Sequence, residues 1–293
     1  MIRILAPVLL LTVIAGAAQD QRALLAERVM ALTRESHWTL VDSVPVSFRT
    51  FHPQGMVKIG DTFFVSSVEV IDRAAGKGVG HLFKIDRAGR LVADLKLGEG
   101  AIFHPGGIDY DGTSIWVPVA EYRPNSRAII YRVAPDTMTA TRITAVDDHI
   151  GAIVHDVATK TLHGASWGSR RFYRWTLDDK GGVTGEPTRR LNTSHYVDYQ
   201  DCKSVAATRM LCTGVTEMRS APDAPPFRLG GIELIDLNDG RPLHQVPLLL
   251  WTPGGRAMTQ NPAWFEPTSA GLRGYFMPED DKSTIYIYDV STQ

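Results

Sequence analysis

The 293-residue chain is 44% hydrophobic and 22% charged, which is typical of an ordinary globular protein and allows one large domain or two small ones. Its formal net charge is −1 and no basic patch stands out, so the composition argues against nucleic acid as a partner.

Residues 1–18 have the pattern of a secretory signal peptide. Arg3 is the positive flank, residues 4–14 form an apolar run, and residues 15–18 supply the small side chains that a signal peptidase requires. A membrane anchor is the alternative, but the run is too short to span ~30 Å of hydrocarbon as a helix. We therefore predict a secreted or periplasmic protein that has no membrane association after cleavage.

Residues 19–37 are predicted to form an N-terminal segment that contains one helix. Leu25, Val29 and Leu32 recur at helical spacing and give residues 20–35 one apolar face. After this segment the pattern changes to that of extended structure. We therefore predict that the rest of the chain, 38–293, is a single domain.

The stretch at 51–56, Phe-His-Pro-Gln-Gly-Met, marks the start of a repeat. It returns as Phe-His-Pro-Gly-Gly-Ile at 103–108, with weaker echoes at 149–153, 200–205 and 260–264. Between these stretches, short β-rich runs alternate with Gly, Pro, Asp and Asn. A repeat of four strands every ~40–50 residues is the signature of a β-propeller. The sequence therefore predicts an all-β fold, a five-bladed β-propeller whose blades each contain four strands, a to d.

The fifth unit is incomplete at its outer edge. Its a, b and c strands fit before the chain stops at Gln293, and no residues remain for strand d. The extended segment at 38–48 precedes the first unit and has no unit of its own. We therefore predict that this N-terminal strand closes the last blade, which also removes an open sheet edge.

The propeller repeat predicts which side chains gather around the axis. In a propeller the a strands line the axis, so the residues just before them meet at one mouth of the channel. These residues are His52, Gln54, His104, His149, Gln200, Asp201, Gln260 and Asn261. The ends of the b strands open on the same face and carry Glu69, Glu121, Trp167, Glu217 and Glu279, and the next loops carry basic residues that include Arg123 and Arg171.

Three histidines at equivalent positions, His52, His104 and His149, allow two interpretations. Each imidazole could hydrogen-bond the backbone of a neighbouring blade and brace the ring. Alternatively, the imidazoles converge with Asp201 and Asn261 on a divalent metal ion or a substrate. Oxygen ligands favour Ca²⁺ and a three-histidine cluster favours Zn²⁺, and the sequence does not choose between them.

The function hypothesis is a metal-assisted hydrolase, or related enzyme, acting on a small polar molecule at the mouth of the channel. The partner predicted is thus a small-molecule substrate or ligand, and the protein is expected to be a monomer. The candidate catalytic residues are His52, His104, His149, Glu121 and Arg171, and the candidate substrate-binding residues are Gln54, Glu69, Arg123, Trp167, Glu217 and Glu279. The alternative is a non-catalytic ligand-binding or scaffold propeller.

The two cysteines, Cys202 and Cys212, bracket a pattern of strand, tight turn and strand. A three-residue turn centred on Ala207 would place them directly opposite each other across the hairpin. In an oxidising compartment this favours a disulfide. Two free, buried thiols are the alternative.

The segments FHPQGM, GEGAIFHPGGIDYDG and VPVAEYRPNS resemble a family of secreted bacterial β-propeller proteins of uncharacterised activity. A more distant resemblance is to plant-type glutaminyl cyclases, through the His-Pro-Gln-Gly of residues 52–55 and the Gly-Glu-Gly-Ala of residues 98–101. That resemblance implies five blades and, as a further alternative, an acyltransferase of the glutaminyl-cyclase type, although the three histidines have no counterpart there. In architecture alone, the chain is similar to metal-centred lactonase and esterase propellers.

Overall fold

Five antiparallel sheets surround one axis in the computed structural model, which describes residues 21–292. The predicted signal peptide lies outside the described residues. Blade one comprises β2 (His52–Ile59), β3 (Thr62–Asp72), β4 (Lys77–Ile85) and β5 (Leu91–Leu97). Blade two comprises an a strand split into β6 (Ile102–Pro105) and β7 (Asp109–Tyr110), then β8 (Ile115–Glu121), β9 (Ala128–Ala134) and β10 (Thr139–Val146).

The remaining blades have the same a-to-d order. Blade three comprises β11 (Ile150–Asp156), β12 (Thr161–Ser166), β13 (Arg171–Leu177) and β14 (Val183–Leu191). Blade four comprises β15 (Asp198–Ala206), β16 (Arg209–Met218), β17 (Phe227–Asp236) and β18 (Pro242–Leu248). Blade five comprises β19 (Ala263–Pro267), β20 (Gly271–Phe276) and β21 (Thr284–Ser291), and its outer strand is β1 (Trp38–Pro45). The predicted five-bladed propeller is therefore confirmed.

Strand β1 closes the ring as the incomplete fifth unit predicted. It pairs antiparallel with β21, from Trp38 opposite Val290 to Pro45 opposite Thr284. The Trp38 indole packs edge-on against Phe276, with ring centroids 6.0 Å apart. The first and last parts of the propeller thus share one sheet and one aromatic cluster.

The a strands approach each other so closely that the axis has no room for side chains at several positions. A Cβ atom on Gly55 would lie 2.5 Å from the backbone nitrogen of Ile108, and one on Gly107 would lie 2.8 Å from the Cα of Asp201. Gly107 also donates a hydrogen bond of 2.8 Å to the carbonyl of Gly151 in blade three. The glycines of the repeated motif are therefore explained by backbone contact at the axis.

A buried ion pair, Asp201 with Lys203, fills the centre of the axis, and we call it the axial plug. Asp201 accepts hydrogen bonds from the backbone nitrogens of Met56 (2.9 Å) and Ile108 (3.1 Å). Lys203 donates to the Asp201 carboxylate and, at 2.7 Å, to the carbonyl of Ile108. The plug therefore joins blade four to blades one and two and separates the two mouths of the channel.

The N-terminal helix is confirmed over residues 21–30, and it ends five residues before the predicted residue 35. It stops because Thr33 and Ser36 form a turn: the Thr33 nitrogen donates to the Ser36 hydroxyl at 2.9 Å, and the Ser36 nitrogen donates to the Thr33 carbonyl at 3.1 Å. Val29 and Leu32 pack into a core cluster with residues of blades four and five. Within residues 21–292, no helix is long and apolar enough to cross a membrane.

The predicted disulfide is present between Cys202 and Cys212, which face each other on β15 and β16. The turn differs from the predicted three-residue turn. Ala206 pairs with Arg209, which leaves a two-residue turn, and a register shift between Ser204 and Ala206 restores the facing positions of the cysteines. The disulfide indicates an oxidising, extracytoplasmic environment.

Candidate functional site

A cavity of about 400 Å³ lies at the upper mouth of the channel, which we define as the end where β2, β6, β11 and β15 begin. We call it the axial cavity. Its wall contains histidine, amide and aromatic side chains from all five blades. The cavity is lined by the side chains of His52, Gln54, His104, Tyr122, His149, Trp167, Asp198, Tyr199, Gln200, Glu217, Arg228, Gln260 and Asn261, among others.

Irregular pairing at the start of the a strands helps to form this cavity. Register shifts place an extra residue, Gln54 in blade one, Gly151 in blade three and Gln200 in blade four, between otherwise paired positions. All three residues line the cavity. Bulges of this kind re-aim side chains and are common beside functional sites. Because of this pairing, strand a of blade one begins at His52, so His52 and Gln54 lie within the strand and not just before it as predicted.

The structure brings together some of the predicted site residues and not others. His52, Gln54, His104, His149, Trp167, Glu217 and Asn261 line the axial cavity. Outside its lining, Glu121 pairs with Arg123 (2.5 Å) and Arg127 (2.7 Å), and Arg171 pairs with Asp148 (3.0 Å). Glu279 accepts a hydrogen bond from the Tyr286 hydroxyl (2.7 Å), Glu69 lies 3.9 Å from His81, and Asp201 belongs to the axial plug.

His52 forms the principal polar pair of the cavity with Asp280. Its Nδ1 lies 2.7 Å from Oδ1 of Asp280, and both side chains are 33% exposed. The same carboxylate accepts hydrogen bonds from Asn261 (3.1 Å) and Arg256 (3.2 Å). Burial favours the neutral form of Asp280, but the hydrogen bond to His52 and the contacts with Asn261 and Arg256 outweigh it and lower the pKa of Asp280. A charged Asp280 holds Nδ1 of His52 and leaves Nε2 available to a ligand.

Two backbone segments in the left-handed region clamp this pair. Phe51 precedes His52 and has φ of 55°, and Asp281 follows Asp280 and has φ of 58°. The Asp281 nitrogen donates to the Phe51 carbonyl at 2.6 Å, and the Thr50 nitrogen donates to the Asp281 carbonyl at 2.9 Å. A left-handed conformation costs a non-glycine residue ~1–2 kcal/mol. These reciprocal contacts hold two unfavourable conformations beside the polar pair.

His104 and His149 form another part of the cavity wall. Their ring centroids are 5.6 Å apart, and the His104 ring stacks on Tyr122 at 4.1 Å. Nδ1 of His149 donates to the carbonyl of Glu121 at 2.9 Å. Burial lowers the pKa of both histidines, and for His104 the nearby His149, His52 and Arg73 lower it further, to well below the usual value. Both imidazoles are therefore neutral at pH 7.

The histidines fit a metal ion in part. His52 and His149 are each held through Nδ1, by a carboxylate and by a backbone carbonyl, which is how proteins orient metal-binding imidazoles. Among residues 21–292, however, no group of three His, Cys, Asp or Glu side chains has a metal-binding arrangement. Asp201 is engaged by the plug, and Asn261 donates to the Pro278 carbonyl at 3.2 Å. The metal ion therefore stays a prediction.

Sequence reasoning missed Asp280, Arg256 and Arg228. Asp280 lies in the loop after β20, directly after the predicted Glu279, and the sequence analysis names only Glu279 of these two carboxylates. Arg228 lies on β17 directly opposite Glu217 of β16, which is one of the predicted substrate-binding residues. A search for basic residues opposite each predicted carboxylate would have found it.

Several solved structures resemble the fold at low sequence identity. The tail fibre of Staphylococcus aureus phage P68 aligns with a TM-score of 0.52 and 11% identity, covering 91% of this chain and 55% of that chain. The chain thus spans about half the length of that fibre. A hypothetical protein from Leishmania major has a TM-score of 0.49 and 12% identity, covering 86% of this chain and 90% of that one.

A luciferin-regenerating enzyme aligns with a TM-score of 0.44 and 9% identity, covering 85% of this chain and 96% of that one. At such identities a likeness concerns the fold alone. No curated protein matches the sequence significantly. The family model of DUF6454, described as a family of unknown function, matches residues 9–293, and the chain belongs to this family.

Proposed function

We propose that the protein is an exported hydrolase that acts on a small polar molecule in the axial cavity, with His52 as general base. The observation that supports this most directly is the 2.7 Å contact between His52 and Asp280. A histidine that is held by a carboxylate through one nitrogen and partly exposed to a cavity is suited to proton transfer through the other.

In the proposed reaction, Nε2 of His52 removes a proton from water as the water oxygen attacks the acyl carbon of an ester or amide. Asp280 stabilises the resulting imidazolium. The proton then passes to the leaving oxygen or nitrogen as its bond to the acyl carbon breaks, and His52 becomes neutral again. Gln200 and Gln260 line the cavity, and their amide nitrogens are the proposed hydrogen-bond donors to the oxyanion that forms in this reaction.

A divalent metal ion remains part of this proposal. Nε2 of His149 is the ring nitrogen left to hold it, because Nδ1 of His149 donates to the Glu121 carbonyl and Nε2 of His52 serves as the general base. When bound, the ion would supply a Lewis acid next to the general base.

The second candidate function is a binding propeller without catalysis. It is favoured by the bond from His149 to the Glu121 carbonyl, which links blade three to blade two and gives this histidine a structural use. Under this alternative, His104 and His149 brace the ring and the cavity holds a ligand that is not transformed.

Turnover of a panel of small esters, lactones, amides and a glutaminyl peptide tests the proposal. The panel is assayed on chelator-treated protein, alone and with Zn²⁺ or Ca²⁺ added. We expect hydrolysis by wild type and a loss of about 10²–10⁴-fold in kcat for His52→Ala and Asp280→Asn.

The matched control is His155→Ala, which removes a histidine that also contacts an aspartate, Asp111, at 2.8 Å but lies outside the cavity lining. Its kcat is expected to equal that of wild type. Failure of wild type to turn over any ester, lactone or amide would overturn the hydrolase and support the binding propeller. Cyclisation of the glutaminyl peptide without hydrolysis would replace it by the acyltransferase, and equal losses in all three variants would remove His52 from its assigned role.

A further inference from the structure

The amide side chains of the axial cavity have polar atoms that no part of the described chain uses. Among residues 21–292, Gln200 has no side-chain hydrogen-bond partner. Gln260 uses Oε1 to accept from Arg228 at 2.9 Å, which leaves its nitrogen, and Gln54 uses its nitrogen to donate to the Pro53 carbonyl at 3.3 Å, which leaves its oxygen. The cavity therefore presents both donors and acceptors to a ligand.

The second, larger cavity of the axis differs from it. It lies at the lower mouth, the end of the a strands near the N-terminal helix, and has a volume of about 580 Å³. Lys58 and Tyr110 are engaged there: Lys58 pairs with Glu266 at 2.9 Å, and the Tyr110 hydroxyl donates to the Gly112 carbonyl at 2.7 Å. The two mouths thus differ in burial: Gln54 and Gln260 are buried at the upper mouth, whereas the glutamine that lines the lower cavity, Gln21, is exposed.

The charged side chains that line the axial cavity are compensated by carboxylates or arginines. Glu217 lies 3.0 Å from Arg219 and 3.7 Å from Arg228, and Asp198 lies 2.7 Å from Arg170. The two buried histidines, His104 and His149, are neutral at pH 7. Within residues 21–292, the nearest cation without a carboxylate partner, Arg73, is exposed and lies outside the lining, 4.0 Å from the centroid of the Tyr122 ring. A ligand with its own net charge would therefore find no free counter-charge in the cavity lining and would lose hydration that the lining does not replace.

An aromatic wall completes the cavity. The Trp167 ring lies 5.9 Å from Tyr122 and packs edge-on against His149 at 4.8 Å. Because His104 and Arg73 lie over the Tyr122 ring at 4.1 and 4.0 Å, Trp167 is the ring left for a ligand. An indole packs against the C–H face of a molecule whose hydroxyl groups point to its edges, and amide groups bind such hydroxyls as donors and acceptors at once.

From these observations we infer that the axial cavity takes an uncharged, hydroxyl-rich small molecule of the sugar or polyol class. The inference rests on the proposed function in that it names the ligand class of the same cavity. Its recognition elements are the amides of Gln54, Gln200 and Gln260 and the ring of Trp167, and the proposed general base, His52, is not among them.

Calorimetric titration of the full chain with matched sugars tests the inference. The probes are glucose, galactose, mannose and xylose, together with inositol, and the uronate and amino-sugar counterparts of the hexoses. We expect at least one neutral probe to bind at least about tenfold more tightly than its charged counterparts. Gln200→Ala and Trp167→Ala are each expected to weaken that binding by about tenfold or more.

The matched control for Gln200→Ala is Gln21→Ala, which removes an exposed glutamine at the lower cavity and should leave binding unchanged. If Trp167→Ala does not fold, Gln200→Ala alone decides the outcome. Preference for a uronate or an amino sugar, no binding of any neutral probe, or equal effects of the two glutamine variants would overturn the inference. Hydrolysis is scored separately. Binding of a neutral sugar without turnover of any ester supports the inference and overturns the hydrolase. Hydrolysis of charged substrates only supports the hydrolase and overturns the inference.

Discussion

His52 with Asp280 and His155 with Asp111 are pairs of nearly the same length, 2.7 and 2.8 Å, at opposite ends of the a strands. At the upper mouth both side chains are 33% exposed, whereas at the lower mouth the histidine is 14% exposed and the aspartate 7%. Asp111 also accepts from the Trp116 indole at 2.7 Å and from two backbone nitrogens. The same pair of residue types is thus open to a ligand at one end and enclosed at the other.

This difference shows why a histidine–aspartate contact does not identify a site by itself. The enclosed pair anchors the turn that follows β7, and the His155 ring packs edge-on against Trp116 at 5.1 Å. Both histidines line a cavity, His52 the axial cavity of about 400 Å³ and His155 a smaller one of about 290 Å³. Only His52 has unused amide groups around it and a clamped backbone behind it. The two histidine–aspartate pairs differ in the exposure of the imidazole and not in the distance between the imidazole and the carboxylate.

The largest effect on stability is expected from removing the plug that separates the two ends. Lys203→Met leaves the Asp201 carboxylate buried without a cation, which typically costs ~3–5 kcal/mol in the free energy of unfolding. Urea denaturation measures this loss. The control Lys58→Met breaks a pair with the half-buried Glu266 at the lower mouth and is expected to cost less than ~1 kcal/mol. Equal losses in the two variants would show that the plug is not a special element of the axis.

An intermediate effect is expected at the enclosed pair. Burial would raise the pKa of Asp111, but hydrogen bonds from His155, Trp116 and the backbone outweigh it and hold that pKa far below its usual range. A lowered pKa in the folded state stabilises the protein above the pKa of the unfolded state, ~4, and this contribution is lost as the pH falls further. Asp111→Asn should therefore cost ~2 kcal/mol at pH 7 and less at pH 3.

The two ends are compared directly by measuring Asp111→Asn and Asp280→Asn with the same two methods. These are urea denaturation at pH 7 and pH 3 and the hydrolysis assay. We expect Asp111→Asn to lose stability and keep kcat, and Asp280→Asn to lose kcat with a smaller loss of stability. A pH-independent cost at Asp111, or a fall in kcat equal to that of Asp280→Asn, would contradict the distinction.

Much of the fold could be predicted from the sequence because the repeated residues are those that close packing at the axis requires. Gly55 and Gly107 recur because the backbones of neighbouring blades are in contact there. The fifth unit lacks an outer strand, and this predicts that the N-terminal strand, β1, takes its place. The three histidines were placed at one mouth for the same reason. Spacing sufficed where position in the repeat determines position in space.

The parts that escaped prediction depend on side-chain choices within loops and at the axis. Position in the repeat led to Glu279, but the side chain that reaches His52 is the next residue, Asp280, because the backbone turns at Asp281. Asp201 was assigned to a ligand set, whereas the structure uses it with Lys203 in the plug. A lysine on a strand is ordinarily a surface residue, and only the packed axis shows that this one is buried.

The smallest effect on stability is expected at the backbone clamp, where it also distinguishes the two ends. Asp281→Gly removes the left-handed strain beside Asp280 and loses an exposed contact with Arg49, so the free energy of unfolding should change by less than ~1 kcal/mol. The matched control is Thr208→Gly, which relaxes a residue of φ 59° in the turn after β15 at the lower mouth. If the clamp positions the open pair, Asp281→Gly lowers kcat and shifts the nitrogen resonances of His52 in an NMR spectrum, while Thr208→Gly changes neither. Unchanged kcat and resonances in both variants would show that the left-handed residues only close the ring between blades one and five.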